Sequence, residues 1–466
     1  MHRLKTSVGA LALALLVAGA AFGQVNTGTA NFATYVALGD SLTAGFSSGA
    51  LLEKYQINSY PALIYRQANG GSITGFEQPL VSNPGLGSGG GVLVLRGLFP
   101  TVIAPTPNVG QPLNLTLPRP YNNLAVPGAT LHDLLTKTQS TSAGDPTDLI
   151  LRHLGGGTTQ LQQALLLHPT FVTLWIGNND ALAAATSGIA IEGVTLTPPA
   201  QFDADYNTVV NAITATGAKM AVANIPDVTS IPFVTTIPRF VFNPKTNQVV
   251  LVNGQPVPLI GPNGPLQAGD YVLLTASAEL AQGKGIPVAL GGSGQPLSDT
   301  SVLSAAEAAA IKAHVDAYNK TITTVANAKG LALVDANALL GNLATNGIAI
   351  GGIEFSSAFL TGGIFGYDGV HPTALGYAYI ANQFIDAINT TYGGDIPEVD
   401  LYPFIFGPLP NQTAALAAPL TGKAIPPATS FVFTPEARRS LLQSLNLPKW
   451  VVDGTKPPRN PRHPHN

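Results

Sequence analysis

Short apolar runs alternate along the chain with longer stretches in which apolar residues recur every three or four positions. Residues 35–38, 171–176, 219–225 and 331–335 form the runs, each closed by Gly, Pro or Asp. Largely apolar runs of this length suit strands covered on both faces of a parallel sheet. Residues 60–67, 158–167, 202–216, 304–328 and 373–388 read as helices; in the last, Tyr377, Ile380, Ala381, Phe384, Ile385 and Ile388 share one face. Ser304 and Glu307 are spaced as a capping box. Pro372 suits the first helical position. Strands alternating with helices predict an α/β fold with a parallel sheet and helices on both of its faces.

Four spans depart from this rhythm. Residues 68–120 are Gly/Pro-rich, far longer than the usual connection of about 4–6 residues, and read as a loop insertion. Residues 230–300 carry short β-like runs, an Asn253-Gly254 turn signal and scattered proline, and read as a β-rich insertion. Residues 341–366 read as loop. Residues 393–466 form a Pro-rich extension with one helix near 434–445. The expected plan is a catalytic domain over 32–392, interrupted at 68–120 and 230–300. At 466 residues the chain is as long as about three average domains.

Composition narrows the function. Net charge is -3 and only 10% of residues are charged, so no broad basic face exists for nucleic acid. The N-terminus predicts a cleavable signal peptide over 1–23: Met1 to Lys5 is basic, Val8 to Val17 is apolar, and Ala18-Gly19-Ala20 fits a cleavage site. The apolar run is short of the roughly 20 residues a membrane span needs, which predicts a soluble, secreted or periplasmic product without a transmembrane anchor. Cysteine is absent. Disulfides, an acylated lipoprotein cysteine and thiolate metal sites are therefore excluded. No metal-ligand spacing stands out.

Four turns carry candidate chemistry: those at Ser41, Gly128, Asn179 and Asp368/His371. In a doubly wound sheet such turns converge at the carboxyl ends of the strands. Ser41 there is either a nucleophile or an ordinary helix cap. His371 can accept its proton, and Asp368, three residues earlier, can orient the imidazole. The amides of Ser41 and Gly128 and the side chain of Asn179 can donate to an oxyanion. Gly45-Phe46-Ser47-Ser48-Gly49 fits G-x-S-x-G, but the strand such an elbow requires ends at Leu38. Gly85, Gly87 and Gly90 fit G-x-G-x-x-G without the strand-turn-helix context.

The four turns together resemble the SGNH, or GDSL-type, esterase/lipase family. Gly39-Asp40-Ser41-Leu42 is similar to its first block, Asn123 to Ala129 to its second, Gly177-Asn178-Asn179-Asp180 to its G-x-N-D block and Asp368-Gly369-Val370-His371 to its D-x-x-H block. The resemblance implies a three-layer α/β/α sandwich around a mainly parallel, roughly five-stranded, flavodoxin-like sheet. It also implies Ser41 as nucleophile, His371 as base and Asp368 as its partner, with Ser41, Gly128 and Asn179 forming the oxyanion hole. The expected activity is hydrolysis of a small-molecule or lipid ester through an acyl-enzyme, with no cofactor. Low charge and apolar loops favour a lipase or esterase. A carbohydrate acetyl esterase, or a secreted binding protein without turnover, are the alternatives.

Overall fold

Four of the apolar runs form one parallel sheet, with strands β1 (Tyr35–Gly39), β2 (Phe171–Trp175), β3 (Lys219–Ala223) and β4 (Ala332–Val334) side by side in that order. Tyr35 pairs with Phe171, Phe171 with Lys219, and Ala221 with Ala332. The computed structural model describes residues 25–98, 101–141, 145–243, 246, 248–407, 431–445, 447 and 449–453; the leader expected at 1–23 lies outside them.

The sheet has four strands where about five were expected, and residues 122–126 occupy the fifth position beside β1. Ala37 N–H donates to the Asn122 carbonyl (2.8 Å), while Leu124 N–H and Val126 N–H donate to Ala37 and Gly39 (3.0 and 3.2 Å). The segment bridges rather than extends because its side chains take over backbone work. The Asn122 amide donates to the Tyr35 carbonyl and the Asn123 amide to the Thr43 carbonyl, each at 2.8 Å. Counting this segment second in the chain gives the flavodoxin-like order 2-1-3-4-5, whose crevice lies beyond the carboxyl end of β1.

Among the described residues, the helices that surround the sheet or its edge include α1 (Ser41–Ala44), α2 (Tyr60–Ala68), α3 (Asn179–Ser187), α4 (Pro199–Thr214), α5 (Ala305–Lys329), α6 (Ala336–Asn346) and α7 (Ala374–Tyr392). Side chains alternate across each strand, so each face has its own core. Val36, Leu38, Leu174 and Val222 face Phe202 of α4 and Tyr318 of α5, whose rings stack at 4.2 Å. On the other face, Ala37, Ala221, Ala223 and Ala332 are small. The space they leave is filled by rings from the helices, including Tyr60 of α2 stacked on Phe384 of α7 at 4.6 Å. Burying each such large side chain is worth about 1.5–3 kcal/mol.

Helix ends follow local chemistry. Ser304 and Glu307 form the reciprocal capping box, with bonds of 3.3 and 3.0 Å. Thr373, not Pro372, opens α7: its hydroxyl accepts from Gly376 N–H, so the proline stands before the cap. Within the span read as loop, α6 runs through Gly341 to Asn346, started by the Asp335 carboxylate accepting from Ala338 N–H at 3.0 Å. Gly341 masks the helical pattern in the sequence.

Among the described residues of 68–120, Leu93–Leu98 pairs antiparallel with Thr101–Pro105, and Phe431–Phe433 of the extension adds in parallel. The 230–300 span pairs strands only two residues long, such as Leu251–Val252 with Gln255–Pro256. Its start reaches the loop before α7, where Phe233 N–H donates to the Gly369 carbonyl at 2.9 Å.

Gly39 ends β1 with no room for a side chain, because a Cβ would stand 2.4 Å from the Trp175 carbonyl oxygen of the next strand. Gly39→Ala is expected to cost about 1–3 kcal/mol of stability, as overpacking does. Thermal unfolding measures this, and an unchanged midpoint would refute the close approach.

Candidate active site

The carboxyl end of β1 turns at Gly39-Asp40 and enters α1 at Ser41. Asp40 caps the helix, its Oδ1 accepting from Leu42 N–H at 2.9 Å. Gly45, with φ of 75°, ends it. Ser41 is buried to 5% exposure, leaving its hydroxyl at the edge of the sheet.

His371 reaches that hydroxyl from the far end of the chain. Its Nε2 lies 2.8 Å from Ser41 Oγ and its Nδ1 lies 2.8 Å from Asp368 Oδ2. The carboxylate accepts at Nδ1, so that nitrogen carries the proton and Nε2 accepts from the Ser41 hydroxyl. Asp368 has no exposed surface. Its Oδ1 accepts from Val370 N–H and His371 N–H at 3.0 and 2.9 Å, and its Oδ2 also accepts from Gly49 N–H at 2.9 Å. Burial alone would push this carboxyl up. The facing imidazole and the hydrogen bonds outweigh burial and hold it below its usual range.

The segment fitting G-x-S-x-G braces this loop. Phe46 places its ring centroid 4.8 Å from that of His371. Ser47 Oγ donates to the Pro372 carbonyl at 2.8 Å, and Ser48 Oγ accepts from Tyr367 N–H at 3.1 Å. Gly49, at φ of 84°, turns its N–H onto Asp368. Tyr377 of α7 donates to the Phe46 carbonyl at 2.5 Å.

Gly128 and Asn179 meet through one intermediary, the Ala129 carbonyl, which accepts from Asn179 Nδ2 at 2.8 Å. Gly128 has φ of 76°, so the backbone turns there in a conformation that favours glycine. This turn is tied to Gly39 through Val126 N–H at 3.2 Å. The second half of the tie is Asn178, whose Nδ2 donates to Asp40 Oδ2 at 2.9 Å. Ser41, His371 and Asp368 are thus in direct contact, and Gly128 and Asn179 are held to their turn by these bonds.

Four side chains or amides that the sequence did not single out do this holding: Asp40, Asn178, Asp180 and the Gly49 N–H. Asp180 Oδ2 accepts from Leu131 N–H at 2.9 Å and Oδ1 from the Thr197 hydroxyl at 2.7 Å, joining the second and third blocks. Burial pushes the carboxyls of Asp40 and Asp180 up to about 6, against the hydrogen bonds each accepts. The available signal was their place in the blocks beside Ser41 and Asn179. Among the described residues no group of three or more His, Cys, Asp or Glu could hold a metal ion, and no helix is long and apolar enough to cross a membrane.

The model of the GDSL-like Lipase/Acylhydrolase family matches residues 35–384. Among solved structures the chain is similar to LAE5, an alpha/beta hydrolase enzyme from the metagenome of Lake Arreo, Spain, at 15% identity, covering 77% of this chain and 96% of that one with a TM-score of 0.34. It is similar to an extracellular lipase from Streptomyces rimosus at 17% identity, 77% and 98% coverage and a TM-score of 0.32. It is also similar to a phospholipase A1 from Streptomyces albidoflavus NA297 at 16% identity, 77% and 98% coverage and a TM-score of 0.29. No curated protein sequence matches the chain.

A raised carboxyl contributes stability that is fully present below its unfolded value, about 4, and is lost as pH rises through its folded value, about 6 for Asp40. Asp40→Asn is expected to lose that pH dependence. Between about pH 4 and pH 7 the stability difference between wild type and variant should change by on the order of 2 kcal/mol. Denaturant unfolding at the two pH values checks this, and parallel pH curves for the two proteins would contradict it.

Proposed function

The chain belongs to the GDSL-like lipase/acylhydrolase family, and from that premise we propose that it is an exported serine hydrolase cleaving carboxylic esters through an acyl-enzyme, a lipase or esterase. The observation that carries the reading is the unbroken hydrogen-bond chain from Ser41 Oγ through His371 to Asp368. The basic and apolar leader ending in Ala18-Gly19-Ala20 supports export.

In this reading Ser41 Oγ attacks the ester carbonyl carbon while His371 Nε2 takes the hydroxyl proton. The carbonyl electrons move to oxygen, giving a tetrahedral oxyanion. Ser41 N–H, Gly128 N–H and an Nδ2–H of Asn179 donate to it. The imidazolium, stabilised by ionised Asp368, then protonates the departing alcohol and the carbon–oxygen bond to it breaks. A water molecule, deprotonated by His371, attacks the acyl-Ser41 ester; the acyl carbon–Oγ bond breaks, the imidazolium returns its proton to Ser41 Oγ, and the acid is released. Asp368 stays ionised throughout, which its lowered carboxyl value favours.

A chromogenic ester tests the assignment. Ser41→Ala is expected to abolish hydrolysis and His371→Ala to reduce kcat by about 10³-fold or more, with Asp368→Asn near 10⁴-fold. Retained turnover in folded Ser41→Ala would refute the nucleophile.

A further inference from the structure

A crevice of about 720 Å³, counted to its open mouth, lies at the carboxyl edge of the sheet on the α7 side. Its lining includes the chain neighbours of the candidate catalytic residues: Leu42 follows Ser41 directly, and Val370 and Pro372 flank His371. Its floor is the ends of β3 and β4, Ala223 and Val334. Its far wall comes from α6 and α7, where Leu339 and Ile380 are half-buried.

None of the residues lining it carries a charge. The one indole among them, Trp175, already donates its N–H to the Asn224 carbonyl at 3.1 Å. Tyr379 adds a single hydroxyl to the lining, so a sugar or a charged headgroup placed here would lose its water for few partners, at a cost of about 1–3 kcal/mol for each polar group left unpaired. An aliphatic chain loses nothing of the kind. The small Ala223 at a strand end, below two leucine- and isoleucine-bearing helices, leaves a slot rather than a filled core.

We propose that this crevice, bounded by Leu42, Val370, Pro372, Leu339 and Ile380, binds the aliphatic acyl chain of the ester, so that the substrate is a medium- or long-chain acyl ester rather than an acetyl ester of a carbohydrate. The proposal rests on the ester-hydrolase reading above. The acyl part, not the alcohol, is assigned to it because the acyl group remains bonded to Ser41 Oγ through both halves of the reaction, and Leu42, the residue joined to Ser41, lines the slot. The alcohol must depart after the first half.

The test uses the full chain with p-nitrophenyl esters from acetyl to palmitoyl, alongside acetate esters of alcohols of increasing length. Wild-type kcat/KM should rise about fourfold for each methylene buried, then level off once the slot is full. It should respond weakly to alcohol length. Ile380→Trp, which projects bulk into the slot, is expected to lower the octanoyl-to-acetyl ratio of kcat/KM by at least about tenfold, as excluding two or more methylenes would. Leu339→Ala, a reduction in size at a half-buried position that keeps the test open if the tryptophan variant does not fold, should move the optimum to longer acyl chains. A flat acyl series, a dependence on alcohol length instead, or variants with unchanged length preference would overturn the proposal while leaving Ser41-dependent hydrolysis standing. Absence of hydrolysis of every ester would overturn the ester-hydrolase reading itself.

Discussion

A carboxylate with no exposed surface is the constraint on which the candidate catalytic edge depends. Asp368 sits in a low-dielectric interior, where an unpaired charge costs several kcal/mol. Four donors meet it: Gly49 N–H, Val370 N–H, His371 N–H and His371 Nδ1. Removing any of them leaves a buried charge underpartnered. The loop carrying His371 therefore cannot drift without a large penalty, and the imidazole is held where Nε2 meets Ser41. The contact between His371 and Ser41 is a by-product of satisfying Asp368 behind them.

Two other buried carboxylates follow the opposite electrostatic course. Burial is the largest influence on all three, yet Asp368 falls below its usual range while Asp40 and Asp180 rise to about 6. The difference lies in what faces them. Asp368 has an imidazole that can carry positive charge. The side chains of Asp40 and Asp180 accept from neutral amides and a hydroxyl only. Asp368 is thereby suited to stabilise an imidazolium, and the other two act as lashings. Asp40 joins the turn after β1 to the turn after β2, and Asp180 joins α3 to the turn beyond Gly128.

The two faces of the sheet divide the labour. On one, Val, Leu and Met side chains from the strands pack densely against α4 and α5. On the other, alanines in β1, β3 and β4 leave space that rings from α2 and α7 largely fill. Where the filling stops, beyond the ends of β3 and β4, an apolar crevice remains, with Leu42, Val370 and Pro372 in its lining. The same small residues that seat the helices also make the slot.

The sequence by itself determined the local pieces. Apolar runs gave the four strands, because a strand buried on both faces must be apolar throughout. The capping box at Ser304 and the spacing of Asp368 and His371 were visible for the same reason, since each is a contact within one turn of chain. Tertiary structure alone decided the rest. Ser41 and His371, 330 positions apart, meet only because strand order brings both turns to one edge. That order also made Asn178 the partner of Asp40, and made a segment resembling a nucleophile elbow into the brace of Asp368. The fifth sheet position was filled by a bridge because asparagine side chains replaced part of a strand's ladder. Periodicity records what a residue does to its near neighbours; which distant groups share a buried charge depends on packing that no single stretch encodes.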